Sequence, residues 1–119
     1  MTDTSTTAPG THELPGVVHR YLEAHTARDT AAAVAALTAD ATVTDDGHTY
    51  RGRAAVAQWL DGAASEYTYT TELLSAHRDA ADHFTVTQRL RGDFPGGTVD
   101  LRFRFTLDGD LISRLTIAP

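Results

Sequence analysis

Residues 98–107 (TVDLRFRFTL) alternate apolar and polar side chains over their whole length, and this pattern constrains the fold more than any other feature of the sequence. The apolar positions are Val99, Leu101, Phe103, Phe105 and Leu107. The polar positions are Asp100, Arg102, Arg104 and Thr106. Because successive side chains of a strand point to opposite faces, the segment predicts a strand of an antiparallel sheet with one buried face.

Three further segments also have the character of strands, and they lie at 67–76, 83–91 and 111–117. In HFTVTQRLR the inward row is apolar except for Gln88. Turns are predicted at Arg78-Asp79, at 92–97 and at Asp108-Gly109.

Helical spacing of apolar residues precedes these strands. It predicts helices at 14–27, at 30–38 with Asp29 as the N-cap, and at 53–64. Helices followed by a run of strands are typical of an α+β fold. We therefore expect a cone-shaped fold, in which three N-terminal helices pack on the concave face of a strongly curved, mostly antiparallel sheet. A cavity between the two layers would offer a binding site.

Length and charge limit the possible functions. A chain of 119 residues is sufficient for one domain, expected at 14–119 after a disordered polar tail at 1–13. The net charge of −6 and the pI near 5.3 argue against nucleic acid or a membrane as partner. The absence of cysteine excludes disulfides, and the polar N-terminus has no apolar signal sequence, so the cytoplasm is the expected location.

The segment TVTDDGHTYRG (residues 42–52) predicts a hairpin that turns at Asp46-Gly47. Alternation places Asp45 on the core side together with Val43. The same hairpin would place Asp45 opposite His48, and Val43 opposite Tyr50. A carboxylate on the buried side of a strand needs a partner or a function.

Several polar side chains are expected to face the cavity along with this carboxylate, and Trp59 would form an aromatic wall beside them. They are Tyr21, His25, Asp45, His48, Tyr50 and Gln88. Apolar lining is expected from Phe84, Val86, Leu101 and Phe103. Each polar residue also has a structural interpretation: a core tyrosine, a histidine at a helix end, or an aspartate that binds turn amides. The spacing of the histidines does not indicate a metal site, and no nucleotide motif or other cofactor signature is present.

The stretches VVHRYLEAHTARD, LTADATVTDDG and YRGRAAVAQWL resemble the nuclear transport factor 2-like superfamily. More narrowly, they resemble its ketosteroid isomerase and SnoaL-like polyketide cyclase branch. The resemblance extends over residues 14–117 and implies the α+β cone. It also implies that Tyr21, in VVHRY, is the donor to an oxyanion and that Asp45, in DATVTD, is the catalytic base. Leu101 occupies the position of the isomerase's second oxyanion donor, and Trp59 lies where supporting tyrosines are expected.

The resemblance therefore implies an enzyme without a cofactor, which removes a proton α to a carbonyl in a small apolar substrate. His48 would tune Asp45 from across the hairpin. The loss of one oxyanion donor favours an activated, polyketide-like substrate over a simple ketone, because one such donor is worth about 3–4 kcal/mol.

Two other functions fit the same fold. One is a non-catalytic domain that binds a small molecule, in which Asp45 is only structural. The other is epoxide opening, which needs an inward Asp–Arg–Asp set, whereas Arg102 and Arg104 are outward by alternation. A homodimer is expected through the outer sheet face, which carries Thr85, Thr87, Arg89, Arg91, Arg102 and Arg104.

Overall fold

A computed structural model describes residues 14–62 and 66–119, and these residues form three helices and six strands. The helices are α1 (Gly16–Ala27), α2 (Thr30–Ala35) and α3 (Arg53–Asp61). The strands are β1 (Leu37–Asp45), β2 (His48–Arg51), β3 (Tyr69–Ala80), β4 (His83–Gly92), β5 (Thr98–Asp108) and β6 (Leu111–Ala118). The predicted tail at 1–13 and the predicted end of the third helix at 63–64 lie outside the described residues. The α+β architecture is confirmed.

The strands form one curved sheet in the order β2-β1-β6-β5-β4-β3. Only β1 and β6, among the described strands, pair in parallel; the other neighbours are antiparallel. The prediction of a mostly antiparallel sheet with helices packed on its concave face is therefore confirmed. No helix in the described part of the chain combines the length and the apolar character that crossing a membrane requires.

The first helix begins at Gly16 rather than at residue 14, and β3 begins at Tyr69 rather than at residue 67. Two other boundaries differ from the prediction by more. The second helix ends at Ala35 rather than at residue 38, because Leu37 begins β1 and its backbone pairs with Ile112 of β6. The β3–β4 turn lies at residues 81–82 rather than at Arg78-Asp79, because β3 continues to Ala80 through two irregularities of register. Alternation does not reveal such bulges, since each one shifts the pattern by one residue.

The hairpin between β1 and β2 forms as predicted. Asp46 and Gly47 both have positive φ, 52° and 78°, which suits a two-residue turn between twisted strands. Asp45 pairs with His48, and Val43 pairs with Tyr50. The N-cap of α2 is also confirmed, since the Asp29 carboxylate accepts a hydrogen bond from the Ala32 backbone N–H at 3.1 Å.

The two faces of the sheet have opposite chemistry. The concave face and the helices share a hydrophobic core, in which Tyr21, Phe105, Leu37, Ile112 and Leu115 are the largest fully buried side chains. The outer face is polar, and there Arg89 forms a salt bridge with Asp100 of the same chain at 2.8 Å. The homodimer through this face stays a prediction.

Candidate functional site

A cavity of about 540 Å³ opens between the helices and one end of the concave sheet face. This volume is in the range of small-molecule sites. The lining residues are Leu22, His25, Thr26, Asp45, Asp46, Trp59, Tyr67, Tyr69, Thr71, Gln88, Leu90, Phe94, Pro95, Thr98, Val99, Leu101, Phe103 and Ile117. The wall is therefore rich in aromatic rings, with a few polar groups among them.

The position of the cavity follows from the pairing of β4 with β5. Gln88 pairs with Leu101 and Leu90 pairs with Val99, and all four side chains line the cavity. The next two inward pairs along the strands, Phe84 with Phe105 and Val86 with Phe103, are buried.

Phe84 and Val86 were expected to line the cavity, and the structure corrects both expectations. Phe84 is 3% exposed and Val86 is fully buried, and neither is a lining residue. They face inward as alternation requires, but at the end of the sheet that the core fills. Leu101 and Phe103, from the same predicted lining, do contact the cavity.

Asp45, the last residue of β1, presents its side chain to the cavity. The indole Nε1–H of Trp59 donates a hydrogen bond to Asp45 Oδ2 at 3.0 Å. Burial raises the pKa of the Asp45 carboxyl; the Trp59 hydrogen bond opposes this shift, the charge of Asp46 adds to it, and that of His48 opposes it. The carboxylate is thus held by a side chain of α3, rather than by amides of its own turn.

Tyr21 and His25 lie one turn apart on α1, and their side chains are hydrogen-bonded. The distance from Tyr21 Oη to His25 Nδ1 is 3.0 Å. Tyr21 is fully buried and is not a lining residue, whereas His25 lines the cavity. Burial raises the pKa of the Tyr21 hydroxyl. Burial and the charge of Arg28 lower the pKa of His25 to about 4, so the imidazole is neutral near pH 7.

His48 and Tyr50 were also expected to face the cavity, and neither lines it. His48 is exposed on β2 and acts on Asp45 only through its charge. Tyr50 stacks on Trp59, with ring centroids 5.9 Å apart and planes 29° apart. It therefore supports the ring that holds Asp45. Both residues lie outside the cavity because β2 is short and forms the outer edge of the sheet, beyond β1.

The structure brings six of the predicted residues together around one cavity. They are His25, Asp45, Trp59, Gln88, Leu101 and Phe103. The aromatic rings connect two of the polar groups, because Trp59 holds Asp45 and also packs edge-on against His25, with ring centroids 5.6 Å apart. His25 and Asp45 thus both contact one indole ring, and both line the same cavity.

The mouth of the cavity was missed by the sequence analysis. It is formed by the segments around Tyr67 and Phe94, whose rings meet edge to face at 6.1 Å. The two segments are joined by hydrogen bonds between Thr68 and Asp93 in both directions. Gly92 permits their close approach, because a Cβ at this position would overlap the Thr68 carbonyl oxygen. Four of the lining positions that were not predicted could have been found from alternation: Leu90 and Val99 of β4 and β5, and Tyr69 and Thr71 of β3.

The charges in the cavity are acidic. Asp45 and Asp46 both line it, and no arginine is among the described lining residues. Within residues 14–62 and 66–119, no three His, Asp or Glu side chains lie close enough together to hold a metal ion. The site offers one half-buried carboxylate, a neutral imidazole and an amide, a set suited to proton transfer and hydrogen bonding.

The chain matches the SnoaL-like domain family over residues 18–115. Its fold is shared with a Sinorhizobium meliloti protein named "putative polyketide cyclase", with 33% identity, 90% of this chain and 97% of that chain covered, and a TM-score of 0.83. A Catenulispora acidiphila protein of ketosteroid isomerase-like fold, solved with trimethylamine, is 22% identical over 88% of this chain and 85% of its own, with a TM-score of 0.77.

A third structure is Mycobacterium tuberculosis RV0760c in complex with estradiol-17β-hemisuccinate. It is 17% identical over 87% of this chain and 90% of its own, with a TM-score of 0.71. No match is found among curated proteins. The family match over most of the described chain and the shared cone-shaped fold lead to one conclusion: this protein belongs to the SnoaL-like family of the nuclear transport factor 2-like superfamily.

Proposed function

We propose that this protein is an acid/base enzyme without a cofactor, which removes a proton α to a carbonyl group of a small apolar molecule, as an isomerase or a polyketide cyclase does. The observation that carries the proposal is Asp45. Its carboxylate lines the cavity, is held by the Trp59 indole, and has a pKa raised by burial.

The position of Asp45 suits a general base. Trp59 holds Oδ2, which leaves Oδ1 to accept the proton from the α carbon. The C–H electron pair then moves into the carbonyl group to give an enolate. The enolate either takes the proton back from Asp45 at another carbon, or attacks a second carbonyl carbon, whose π electrons move to its oxygen; that oxygen then takes the proton. A raised pKa makes the carboxylate a stronger base, and a positioned base typically contributes about 10²–10⁴-fold to the rate.

The cavity wall supports a neutral, flat substrate. Trp59, Tyr69 and Phe103 offer aromatic surface, while Asp45 and Asp46 would repel an anion. Among the relatives, one is named "putative polyketide cyclase", and another was solved with a derivative of estradiol, whose steroid ring system is largely flat and apolar.

Gln88 gives independent support for a polar group on the ligand. Its side chain lines the cavity and is only 8% exposed, and none of the described residues forms a hydrogen bond with its amide. Buried amides in proteins are nearly always paired. A carbonyl or hydroxyl oxygen of the substrate could accept a hydrogen bond from the Gln88 amide.

The test is the turnover of a panel of flat β,γ-unsaturated ketones and 1,3-dicarbonyl compounds by the wild type and by Asp45→Asn. We expect the substitution to lower turnover at least 100-fold with the fold retained, because it keeps the shape and removes the base. The matched control is Asp40→Asn, an exposed residue of the same strand, which should retain full activity. If Asp45→Asn retains full turnover, Asp45 is not the base.

A non-catalytic binding domain is the second candidate, and one observation favours it. The inward position opposite Gln88 is Leu101, so this part of the wall has no acid to stabilise an oxyanion. Binding of the same panel without any turnover, by the wild type and Asp45→Asn alike, would establish this alternative. Epoxide opening has less support, because Arg102 and Arg104 are exposed on the outer face.

A further inference from the structure

The hydrogen bond between Tyr21 and His25 has a consequence for the chemistry of the cavity wall. Tyr21 was expected to contact the substrate, but its hydroxyl is fully buried behind His25, and the imidazole is the group that reaches the cavity. The question is which hydrogen-bonding group the imidazole presents there, and the answer depends on its tautomer.

The proton of Tyr21 fixes this tautomer. Among the described residues, the hydroxyl has no hydrogen-bond partner except His25 Nδ1. If Nδ1 were the donor, the Tyr21 proton would be buried without an acceptor, which costs about 1–3 kcal/mol. The hydroxyl therefore donates to Nδ1. Since a neutral imidazole carries one proton, that proton is on Nε2.

We propose that His25 donates a hydrogen bond from Nε2–H to the substrate oxygen that becomes the oxyanion, and that Tyr21 is a positioning residue that fixes the tautomer. This inference rests on the proposed function, and it assigns the role of oxyanion donor to His25 instead of Tyr21. Asp45 and His25 both contact the Trp59 ring and both line the cavity, so a small substrate bound there could have its α carbon near the base and its oxygen near the imidazole.

The surroundings of His25 keep it a neutral donor. Phe103 and Trp59 pack edge-on against the ring at 6.0 and 5.6 Å, and Tyr21 covers its Nδ1 side. Of the charged groups, Arg28 opposes protonation of the imidazole. A neutral donor does not protonate the base across the cavity, as an imidazolium would.

The first measurement is the tautomer itself, read from the ¹⁵N shifts of His25 by NMR at pH 7. We expect the Nε2–H form in the wild type and a mixture of the two tautomers in Tyr21→Phe. His77, which is exposed on the outer sheet face, serves as the internal reference for a histidine without such a partner. An Nδ1–H tautomer in the wild type would overturn the proposal.

The second measurement is the binding of 2-naphthol, a flat probe whose ionised oxygen resembles an enolate. It uses the Asp45→Asn background, which mimics the protonated base after proton transfer. Adding His25→Phe should weaken binding at least tenfold, whereas adding His77→Gln should leave it unchanged. If the protein with Asp45→Asn and His25→Phe folds poorly, Tyr21→Phe is added as a third substitution, because it removes the buried hydroxyl that has lost its acceptor. This triple variant should bind 2-naphthol at least tenfold more weakly than Asp45→Asn alone.

Equal affinity with and without His25, or no binding of 2-naphthol at all, would overturn the proposal. Neither measurement uses turnover. Their failure is therefore distinct from the failure of the proposed function, which only the Asp45→Asn activity assay decides.

Discussion

The two ends of the concave sheet face are built from the same strands with the same alternation, yet one is core and the other is a cavity. At one end, Phe84 and Phe105 pair across β4 and β5, and the Tyr21 ring packs against Phe105 with centroids 5.9 Å apart. At the other end, Gln88 and Leu101 face open space. Alternation thus decides which face a side chain is on, whereas the extent of the helices decides whether that face is covered.

The difference also appears in the energetics of the polar groups. The core end buries mainly hydrocarbon and aromatic rings. The cavity end contains a buried amide that has no hydrogen-bond partner among the described residues, a carboxylate with a raised pKa and a histidine with a lowered pKa. Such groups reduce stability and are typical of functional sites. The contrast leads to four predictions.

The largest difference in stability should appear when a leucine is replaced by alanine at the core end and, separately, at the cavity end of the sheet. Leu115 is fully buried, and Leu115→Ala should lower the free energy of unfolding by about 2–5 kcal/mol. Leu101 already borders a cavity, and Leu101→Ala should cost about 1 kcal/mol or less, because little packing is lost. Chemical denaturation of both variants measures the difference. Equal losses would show that the cavity end is packed as tightly as the core.

The second effect is a loss of stability in acid that depends on His25. Its pKa falls from 6.5 to about 4 on folding, so between these values the unfolded chain binds more protons than the folded one. The free energy of unfolding should therefore decrease as pH falls through this window, by at most about 3 kcal/mol. Denaturation curves at pH 7 and pH 4.5 should show a smaller decrease for His25→Phe. His77→Gln is the control, and an unchanged decrease in His25→Phe contradicts the shift.

The third effect has the opposite sign. Burial raises the pKa of Asp45 in the folded state, so its ionisation at neutral pH reduces stability. Asp45→Asn should leave the free energy of unfolding unchanged or raise it at pH 7. The gain should disappear at low pH, where the carboxyl is protonated. A clear destabilisation would instead show that Asp45 has a structural role.

The smallest effect is expected at Gln88. Replacing its unpaired amide by the similarly shaped Gln88→Met should change stability by less than about 1 kcal/mol, because no described partner is lost. Binding of carbonyl compounds should weaken in the same variant. Isothermal titration together with thermal unfolding tests both statements, and unchanged binding would remove Gln88 from the site.

The sequence predicted the architecture well because the relevant signals are periodic. Alternation in β4 and β5, the Asp46-Gly47 turn and the Asp29 cap all act locally, and each of them is found in the structure. The alternation of side chains along β1 was also sufficient to place Asp45 on the inner face of the sheet.

The site was harder to predict because its limits depend on tertiary packing. Nothing local shows that Val86 is fully buried while Gln88 lines the cavity, or that the Tyr21 hydroxyl is hydrogen-bonded to the imidazole of His25. Phe94 lies in a loop without a periodic signal, so its contribution to the cavity wall could not be predicted from alternation. These contacts join segments far apart in the sequence, and residue patterns within one element cannot specify them.

The parallel pairing of β1 with β6 has a consequence for how the site is made. Asp45 pairs with Ile117, so the strand that carries the candidate base docks beside the last strand in sequence order. Closing so long a loop is entropically costly and slow compared with forming the hairpins of β3 to β6. The arrangement of the cavity therefore depends on a long-range contact, and Asp45 reaches its position only once β1 has paired with β6.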